Sequence, residues 1–453
     1  MIAQQLSWFQ PALRSQAKGK RSLGFWDEDA ITFAVAAGSR ALRTPVDHVV
    51  FASTTAPFLD RSNAGLMAEA LGLEANISTQ DVSGSLRAGT SAMMQLLTSS
   101  NPVLLAAADR RTAKPGSSQE MSYGDAGVAF QMGQENCVAD YLGGISRQHD
   151  MVDHYRAQGQ DSDYTLEQRW FRDEGVLKVV PDTITEACTQ LDLPISSVDH
   201  LITPFPSSFN KKICKQLSVS DSVLAPNLYD VVGDCGVAHS LLMLAHVLDG
   251  AEPDSLILAV GFGQGCDVLA FRVNQLIQTH RAKNTVGHSI ASQQPLVDYL
   301  KLPAFSRMIE LDAGLRAEAD KRTAMAAYFR RRRSINSMIG SKCEACGTPH
   351  FPSARVCVNC GSIDRMSDYH FAEKTCHVKT FTEDFLAASP APPMIYGNIE
   401  FEGGGNAFLE FTDSSPGELN IGDTLYSHFR VKTFDPLRGF RRYFWKPSPV
   451  PLQ

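Results

Sequence analysis

Four cysteines stand as two pairs, Cys343-x-x-Cys346 and Cys357-x-x-Cys360, with ten residues between them. Each pair sets two thiolates on one tight turn, and two such turns facing each other supply the tetrahedral sulfur set that zinc prefers. With four thiolates no coordination position is left for water, so the chemistry expected is structural rather than catalytic. A second group lies upstream, where Asp234, Cys235 and His239 bracket the start of a predicted helix, Ala238 to Leu248. A carboxylate and an imidazole so placed can form an acid–base pair, or Asp234 can simply cap the helix. Tyr123 and Asp125 stand on a glycine-containing turn, Tyr123-Gly124-Asp125-Ala126-Gly127, where an aspartate more often stabilises the turn than reacts. Cys137, Cys188, Cys214, Cys235 and Cys266 have no paired spacing and read as small apolar fillers, Cys235 being the one thiol to test. The run Arg330-Arg331-Arg332-Arg333 is able to bind phosphate, but a solvated helix face or linker is the commoner role for so short a run.

Such groups need α/β elements to hold them, and the pattern supplies these twice. Val46 to Ser53 and Pro102 to Ala108 read as buried strands, with helices at Ile31 to Leu42, Ala64 to Leu73 and Gly89 to Ser99. Asp27-Glu28-Asp29 precedes the first of these, where acidic residues suit the positive end of a helix. A second series follows: a helix from about Val180 to Leu191, a strand at His200 to Thr203, helices at Ser208 to Leu217 and Ala238 to Leu248, and a strand at Ser255 to Gly261. The repeated order points to two similar α/β halves packed together. Asn274 to Ser334 turns polar and helical, and Lys374 to Pro447 shows short strands with turn signals at Gly403-Gly404-Gly405 and Ser414 to Gly417, the mark of a small barrel or sandwich.

The chain has 453 residues, about three typical domain lengths, so two or three units are expected. The expected division is 1–275 for the α/β region, 276–340 for a helical linker, 341–365 for the zinc ribbon and 366–453 for the barrel. Forty-two Lys plus Arg against forty-nine Asp plus Glu give a formal charge of -7, which argues against general attraction to nucleic acid or anionic lipid. Met1 to Phe9 lacks a charged head followed by an apolar run, and no stretch approaches the roughly 20 apolar residues that span a bilayer. A cytoplasmic location without membrane or nucleic-acid partners is expected.

Cys343 to Cys360 with Phe351-Pro352 between the pairs, followed by Ile395-Tyr396-Gly397-Asn398-Ile399, Ala407-Phe408-Leu409 and Ile421-Gly422-Asp423, resembles the zinc-ribbon plus OB-fold family that accompanies thiolase-like enzymes. The larger region resembles the hydroxymethylglutaryl-CoA synthase branch of the thiolase superfamily. Its residues are Gly24-Phe25-Trp26-Asp27-Glu28-Asp29, Arg87-Ala88-Gly89-Thr90, Tyr123-Gly124-Asp125-Ala126-Gly127, Thr203-Pro204-Phe205, Gly233-Asp234-Cys235-Gly236 and Gly261-Phe262-Gly263-Gln264-Gly265. The resemblance implies a duplicated five-layered αβαβα thiolase-like fold, followed by a rubredoxin-like zinc ribbon and a small OB-fold β-barrel. It implies a homodimer, a CoA thioester as substrate and an acyltransferase- or lyase-type reaction at a carbon–carbon bond, with a separate thiolase or condensing enzyme as a conceivable partner.

That family uses a cysteine nucleophile two residues before Ala-Gly-Thr, a histidine two before Pro-Phe and a glutamate after the early strand. The matching positions here are Leu86, Ile202 and Thr54, none of which carries the family's group. Leucine has no nucleophilic atom, and Ser83 or Ser85 nearby would lack the histidine as base. Two readings follow: a carbon–carbon bond enzyme without a covalent acyl intermediate, aldolase-like, or a non-catalytic CoA-binding scaffold. In the first, Asp234 or His239 moves the proton, Tyr123 and Cys235 stand by, and backbone N–H groups near Gly263 and Gly265 hold the enolate.

Overall fold

The computed structural model describes residues 19–451 apart from 283, 297, 313 and 316–319; the start read above for a leader lies outside the described residues. The chain falls into two compact units. The first comprises Met1–Gly24, Ala41–Ala64 and Ile77–Pro303, the second Phe25–Arg40, Gly65–Asn76 and Ala304–Gln453. Helix α1 (Ala30–Ala41) and most of α2 (Asn63–Ala70) thus group with the C-terminal residues.

The first unit carries two four-stranded sheets. Strands β1 (His48–Ala52), β2 (Ser78–Val82), β3 (Val103–Asp109) and β4 (Ala126–Met132) are ordered β2-β1-β3-β4. Strands β5 (Ala139–Gln148), β8 (His200–Ile202), β9 (Leu256–Phe262) and β10 (Gly265–Val273) are ordered β5-β10-β9-β8, while β6 (His154–Tyr155) and β7 (Tyr164–Thr165) form a separate hairpin. The duplication is visible in the pairing. β1 runs parallel to β3 and β3 antiparallel to β4; in the same way β8 runs parallel to β9 and β9 antiparallel to β10.

Helices α3 (Ala88–Leu96) and α6 (His239–Gly250) are the equivalent connections of the two halves. Their small and apolar residues, among them Ala88, Ala92, Leu241 and Leu244, share one core with Val50 and Leu105 of the first sheet and Ile257 and Leu269 of the second. The outer face of the second sheet packs on α4 (Leu177–Gln190) and α5 (Ser207–Leu217) through Val180, Ile184, Ile213, Leu258 and Val268. β3 and β9 are buried along their whole length, which is why both read as continuous apolar runs instead of alternating ones. α4 starts at Leu177, three residues before the start near Val180 read from the sequence, and carries Pro181 inside it.

In the second unit the ribbon sheet is β12-β11-β13, from β11 (Ile339–Cys343), β12 (Pro349–His350) and β13 (Met366–His370). The barrel strands β14 (Cys376–Asp384), β15 (Met394–Phe401), β16 (Asn406–Glu410), β17 (Thr424–Asp435) and β18 (Phe440–Ser448) are antiparallel in the order β16-β15-β14-β17-β18. The Thr412 N–H donates to the Pro447 carbonyl at 2.9 Å, bringing the chain after β16 onto β18 and closing the five strands in OB-fold order. Gly403, Gly404 and Gly405 all have positive φ at the β15–β16 turn, as their clustering predicts.

Asp27-Glu28-Asp29 does more than start a helix. Asp29 Oδ1 accepts from the Ile31 and Thr32 N–H groups, each at 3.1 Å, and Thr32 Oγ1 accepts from the Asp29 N–H at 2.8 Å, a reciprocal cap on α1. The three carboxylates also take the cations of β17 and β18. Lys446 lies 2.9 Å from Asp27 and 2.8 Å from Glu410; Arg430 pairs with Glu28 and lies 2.8 Å from Asp413; Arg441 and the Tyr443 hydroxyl reach Asp29 at 2.8 and 2.7 Å. Lys446 and Asp27 are buried, and a buried lysine persists only where carboxylates take its charge. Among the described residues no helix is long and apolar enough to cross a membrane.

Candidate functional site

The polar groups of the first unit gather where β1 and β3 end. Asp109, the last residue of β3, is fully buried at the end of an apolar strand. Its Oδ1 accepts from Ser53 Oγ (3.0 Å), the Thr54 N–H (2.8 Å), and the Thr55 N–H and Oγ1 (3.1 and 3.0 Å); its Oδ2 accepts from Thr54 Oγ1 (2.9 Å) and the Val237 N–H (2.9 Å). One carboxylate therefore fixes both the loop after β1 and the turn that begins α6. Gly236 lies against it with φ +57°, and a Cβ there would sit 2.4 Å from Asp109 Oδ2, so this turn admits only glycine.

From that turn a ring of charges returns to Thr54. Arg111, nearly fully buried, places Nη2 2.7 Å from Asp234 Oδ1 and donates to the Asp234 carbonyl at 2.8 Å, while its guanidinium lies 3.7 Å from the Tyr123 ring centre. The Tyr123 hydroxyl donates to Asp163 at 3.0 Å, Asp163 pairs with Arg156 at 2.7 Å, and Arg156 donates to the Thr54 carbonyl. Backbone bonds from Gly124 to Asp234 (2.9 Å) and from Asp234 to Ser122 (2.7 Å) bring the Tyr123 and Asp234 loops together although 111 positions separate them. Burial works against ionisation of Asp234, but Arg111, with His239 and the Gly236 N–H, more than offsets it and the carboxyl is pulled down to about 2. Burial and Asp163 push the Tyr123 hydroxyl well above its usual range.

Asp234, Cys235, His239 and Tyr123 thus lie together, as the sequence suggested, in a geometry that defines their protonation. His239 is buried, and its Nδ1 accepts the Cys235 N–H at 3.3 Å. A backbone amide always donates, so the ring proton of neutral His239 is on Nε2. Burial lowers its pKa further. The Cys235 thiol lies 3.6 Å from the Gly233 carbonyl and is pushed far up by burial and by Asp234, the opposite of an activated thiolate. Asp234 also accepts the Gly236 N–H at 3.0 Å, and at 27% exposure its side chain is the most open of the ring's acids. Asp125 accepts the Gly24 N–H at 2.7 Å, holding its turn.

Leu86 and Arg87 precede α3. Arg87 ties that helix start to the second sheet, pairing with Asp267 at 2.8 Å and donating to Ser146 (2.9 Å), Gln148 (2.6 Å) and the Gly263 carbonyl (3.0 Å). A Cβ on Gly263 would meet the Leu86 and Arg87 nitrogens at 2.9 and 3.0 Å, and one on Gly265, at φ +135°, the Arg147 carbonyl at 2.4 Å. The Gly263 N–H donates to the Gly265 carbonyl at 3.1 Å, so that amide is already engaged instead of facing a ligand. Both glycines serve the close approach of β9 and β10 to the start of α3. Ile202 is buried in β8 as part of the central core. Sequence reasoning missed Asp109, Arg111 and Asp163. The one signal for Asp109 was an acid closing the all-apolar run Val103 to Ala108.

In the second unit the Sγ atoms of Cys343, Cys346, Cys357 and Cys360 all lie within 4.8 Å of one another. Cys343 to Cys360 is 3.7 Å and Cys346 to Cys357 is 3.5 Å. These are far longer than a disulfide and close to the roughly 3.8 Å edge of a tetrahedron with Zn–S bonds of about 2.3 Å. Gly347 and Gly361 follow the second cysteine of each pair at φ +76° and +72°, and their N–H groups donate to the carbonyls of Cys343 and Cys357. The two turns are thus equivalent, and their donor set suits zinc.

Sheet order, duplication and the central helix pair define the first unit as a thiolase-like α/β fold. Among known proteins, this chain is similar to hydroxymethylglutaryl-CoA synthase of Methanothermobacter thermautotrophicus, 27% identical over 305 residues that cover 63% of this chain and 86% of the relative. It is likewise 28% identical to that of Archaeoglobus fulgidus over 299 residues, 62% and 85% of the two chains. Solved structures agree on the fold. MvaS in complex with 3-hydroxy-3-methylglutaryl coenzyme A superposes with a TM-score of 0.58 at 15% identity, covering 68% of this chain and 88% of that one. PksG, a HMG-CoA synthase from Bacillus subtilis, gives 0.57 at 17% identity, covering 69% and 88%. Residues 336–363 match the family described as ChsH2, rubredoxin-like zinc ribbon domain.

Proposed function

We propose that the chain makes or breaks a carbon–carbon bond on a CoA thioester without passing through an acyl-cysteine. The observation that carries this reading is the set of side chains at three separately anchored positions: Leu86 before α3, Ile202 within β8 and Thr54 after β1. None offers a nucleophile or base of the kind the resembling synthases use, whereas the names of the relatives support a thioester ligand. An aldol-type step fits the groups present. A base takes the proton of a β-hydroxyl, the bond between the α and β carbons breaks, the β carbon leaves as a carbonyl, and the electron pair enters the thioester as an enolate that is then protonated. Asp234 is assigned as the base, being the most open acid of the ring; Arg111 makes it a weak one, and His239 serves to orient the turn through Cys235.

The second reading, a CoA-binding subunit that supports a catalytic partner such as a separate thiolase, is favoured by the pairing of every charge in the ring. One experiment separates them. Purified protein is incubated with β-hydroxyacyl-CoA, and thioester products are followed by chromatography while the protein is followed by intact mass. The first reading expects turnover without an acyl adduct; binding without turnover supports the second, and a stable acyl-protein overturns both. A homodimer is part of either reading and is checked by sedimentation. The four-cysteine cluster is assigned one structural zinc, which when bound locks the two turns together; the thiolates of Cys343, Cys346, Cys357 and Cys360 would hold it.

A further inference from the structure

The four consecutive arginines of the second unit do not share one environment. Arg332 Nε lies 3.7 Å from Glu69, and Arg333 lies 2.6 Å from Asp368. Arg330 and Arg331 have no carboxylate partner among the described residues, and Arg442 on β18 spends one nitrogen on the Thr433 hydroxyl at 3.0 Å. All three arginines line one cavity of about 270 Å³, formed between the helices Met325–Arg330 and Arg332–Asn336 and β18. Tyr328, Ala327 and Ile335 line its apolar side, and among the described residues no acidic one is part of its walls. The Tyr328 ring is held in place by its hydroxyl, which donates to Asn336 Oδ1 at 3.0 Å, and by the edge of Phe440. The division is orderly: the two ion-paired arginines, Arg332 and Arg333, are not among the lining residues, whereas the two without a carboxylate partner among the described residues are.

We propose that this cavity binds a phosphate monoester of nucleoside size. Planar guanidiniums match phosphate oxygens in pairs, and three arginines with no described carboxylate among the cavity walls suit a dianion. The volume lies near the lower end of small-ligand pockets, about 300 Å³, and exceeds what inorganic phosphate alone would fill. The Tyr328 ring and the Ala327 and Ile335 side chains supply a surface for a flat base. The inference rests on the second unit alone and stands whether or not the thioester reading holds. Either the phosphorylated adenosine end of CoA or a free nucleotide carries this chemistry.

The test is calorimetric titration of the full chain at low salt with adenosine 3′,5′-bisphosphate, AMP, adenosine and inorganic phosphate. Both nucleotides should bind, adenosine should not, and affinity should fall as salt rises. Tighter binding of the bisphosphate identifies the CoA end as the source; equal binding identifies a free nucleotide. The double variant Arg330→Ser/Arg331→Ser, both residues exposed, should weaken nucleotide binding at least about tenfold, and Arg332→Ser/Arg333→Ser less than about threefold. Three results overturn the proposal: no nucleotide binding by the wild type, binding that survives the first double variant, or equal losses in both. Inorganic phosphate binding as tightly as AMP overturns the ligand class.

Discussion

Asp234 and Arg111 show how burial ranks two partners that a sequence treats alike. The Arg111 side chain is 2% exposed and that of Asp234 27%, so removing the acid strands the deeper charge. Asp234→Asn should therefore cost about 3 to 5 kcal/mol, and Arg111→Met less, because the aspartate left behind is partly solvated. Urea unfolding of the two variants checks the order, and the reverse order would contradict this account of the ring. The pH dependence has a defined sign. With its carboxyl pulled down to about 2, Asp234 stabilises the folded chain fully above the ordinary aspartate range, about pH 4. That contribution is lost as pH falls from there through about 2. His428 in the barrel acts at higher pH. Burial and Arg430 bring it down to about 4, and its Nε2 hydrogen-bonds to the Val450 carbonyl at 2.8 Å. The unfolded chain takes up that proton first, so stability should fall between about pH 6.5 and 4, by on the order of 3 kcal/mol. His428→Gln should flatten that part of a melting-temperature profile. If Asp234 is the base, turnover should drop by about 10²-fold or more in Asp234→Asn, measured on protein shown to be folded, with CoA binding kept.

At the scale of elements, legibility followed burial. β3 and β9 were plain as apolar runs because both faces of each strand are covered, and α3, α5 and α6 were found to within a few residues. β2, Ser78–Val82, passed unseen: it is an exposed edge strand of polar residues, so no pattern of burial is written into it. β5 passed unseen as well, since Gly143 and Gly144 interrupt it and its pairing with β10 slips at Ala270. The cysteine turns were legible because a metal site fixes both residue type and spacing, whereas the ring around Asp109 joins five separate segments whose spacing follows no rule. Metal removal tests the ribbon as an element. Chelation, or Cys346→Ala, should abolish the order of β11 to β13 and expose apolar surface to a dye such as ANS, while the thiolase-like unit keeps its unfolding transition. Purified protein without stoichiometric zinc by elemental analysis would contradict the assignment.

At the scale of the molecule, the grouping of Phe25–Arg40 and Gly65–Asn76 with the C-terminal residues alters what the barrel is. From sequence it looks like an appended module, 366–453, following a zinc ribbon at 341–365. In the structure its cations are completed by acids more than 380 positions earlier: Lys446 by Asp27, Arg430 by Glu28 and Arg441 by Asp29. The Asp27 carbonyl also accepts the Val431 N–H at 2.8 Å, and Thr412 Oγ1 donates to Asp27 at 3.1 Å. Cutting the chain before Ala304 leaves Lys446 with Glu410 alone and Arg430 with Asp413 alone, and it takes the salt bridge from Arg441. Lys446 and Arg430 are buried, so losing a carboxylate partner costs each of them up to about 3 to 5 kcal/mol, and with the smaller loss at the part-exposed Arg441 this is comparable to the roughly 5 to 15 kcal/mol by which a whole domain is stable. The fragment 304–453, supplied with zinc, should therefore lack a cooperative thermal transition and near-ultraviolet ellipticity although it holds every strand of the barrel. In the full chain, Asp27→Asn should lower the melting temperature of the C-terminal unit more than Asp413→Asn, because Lys446 is more deeply buried than Arg430. A fragment that folds cooperatively by itself would mean that the barrel is a free-standing module and that the acidic segment only decorates it.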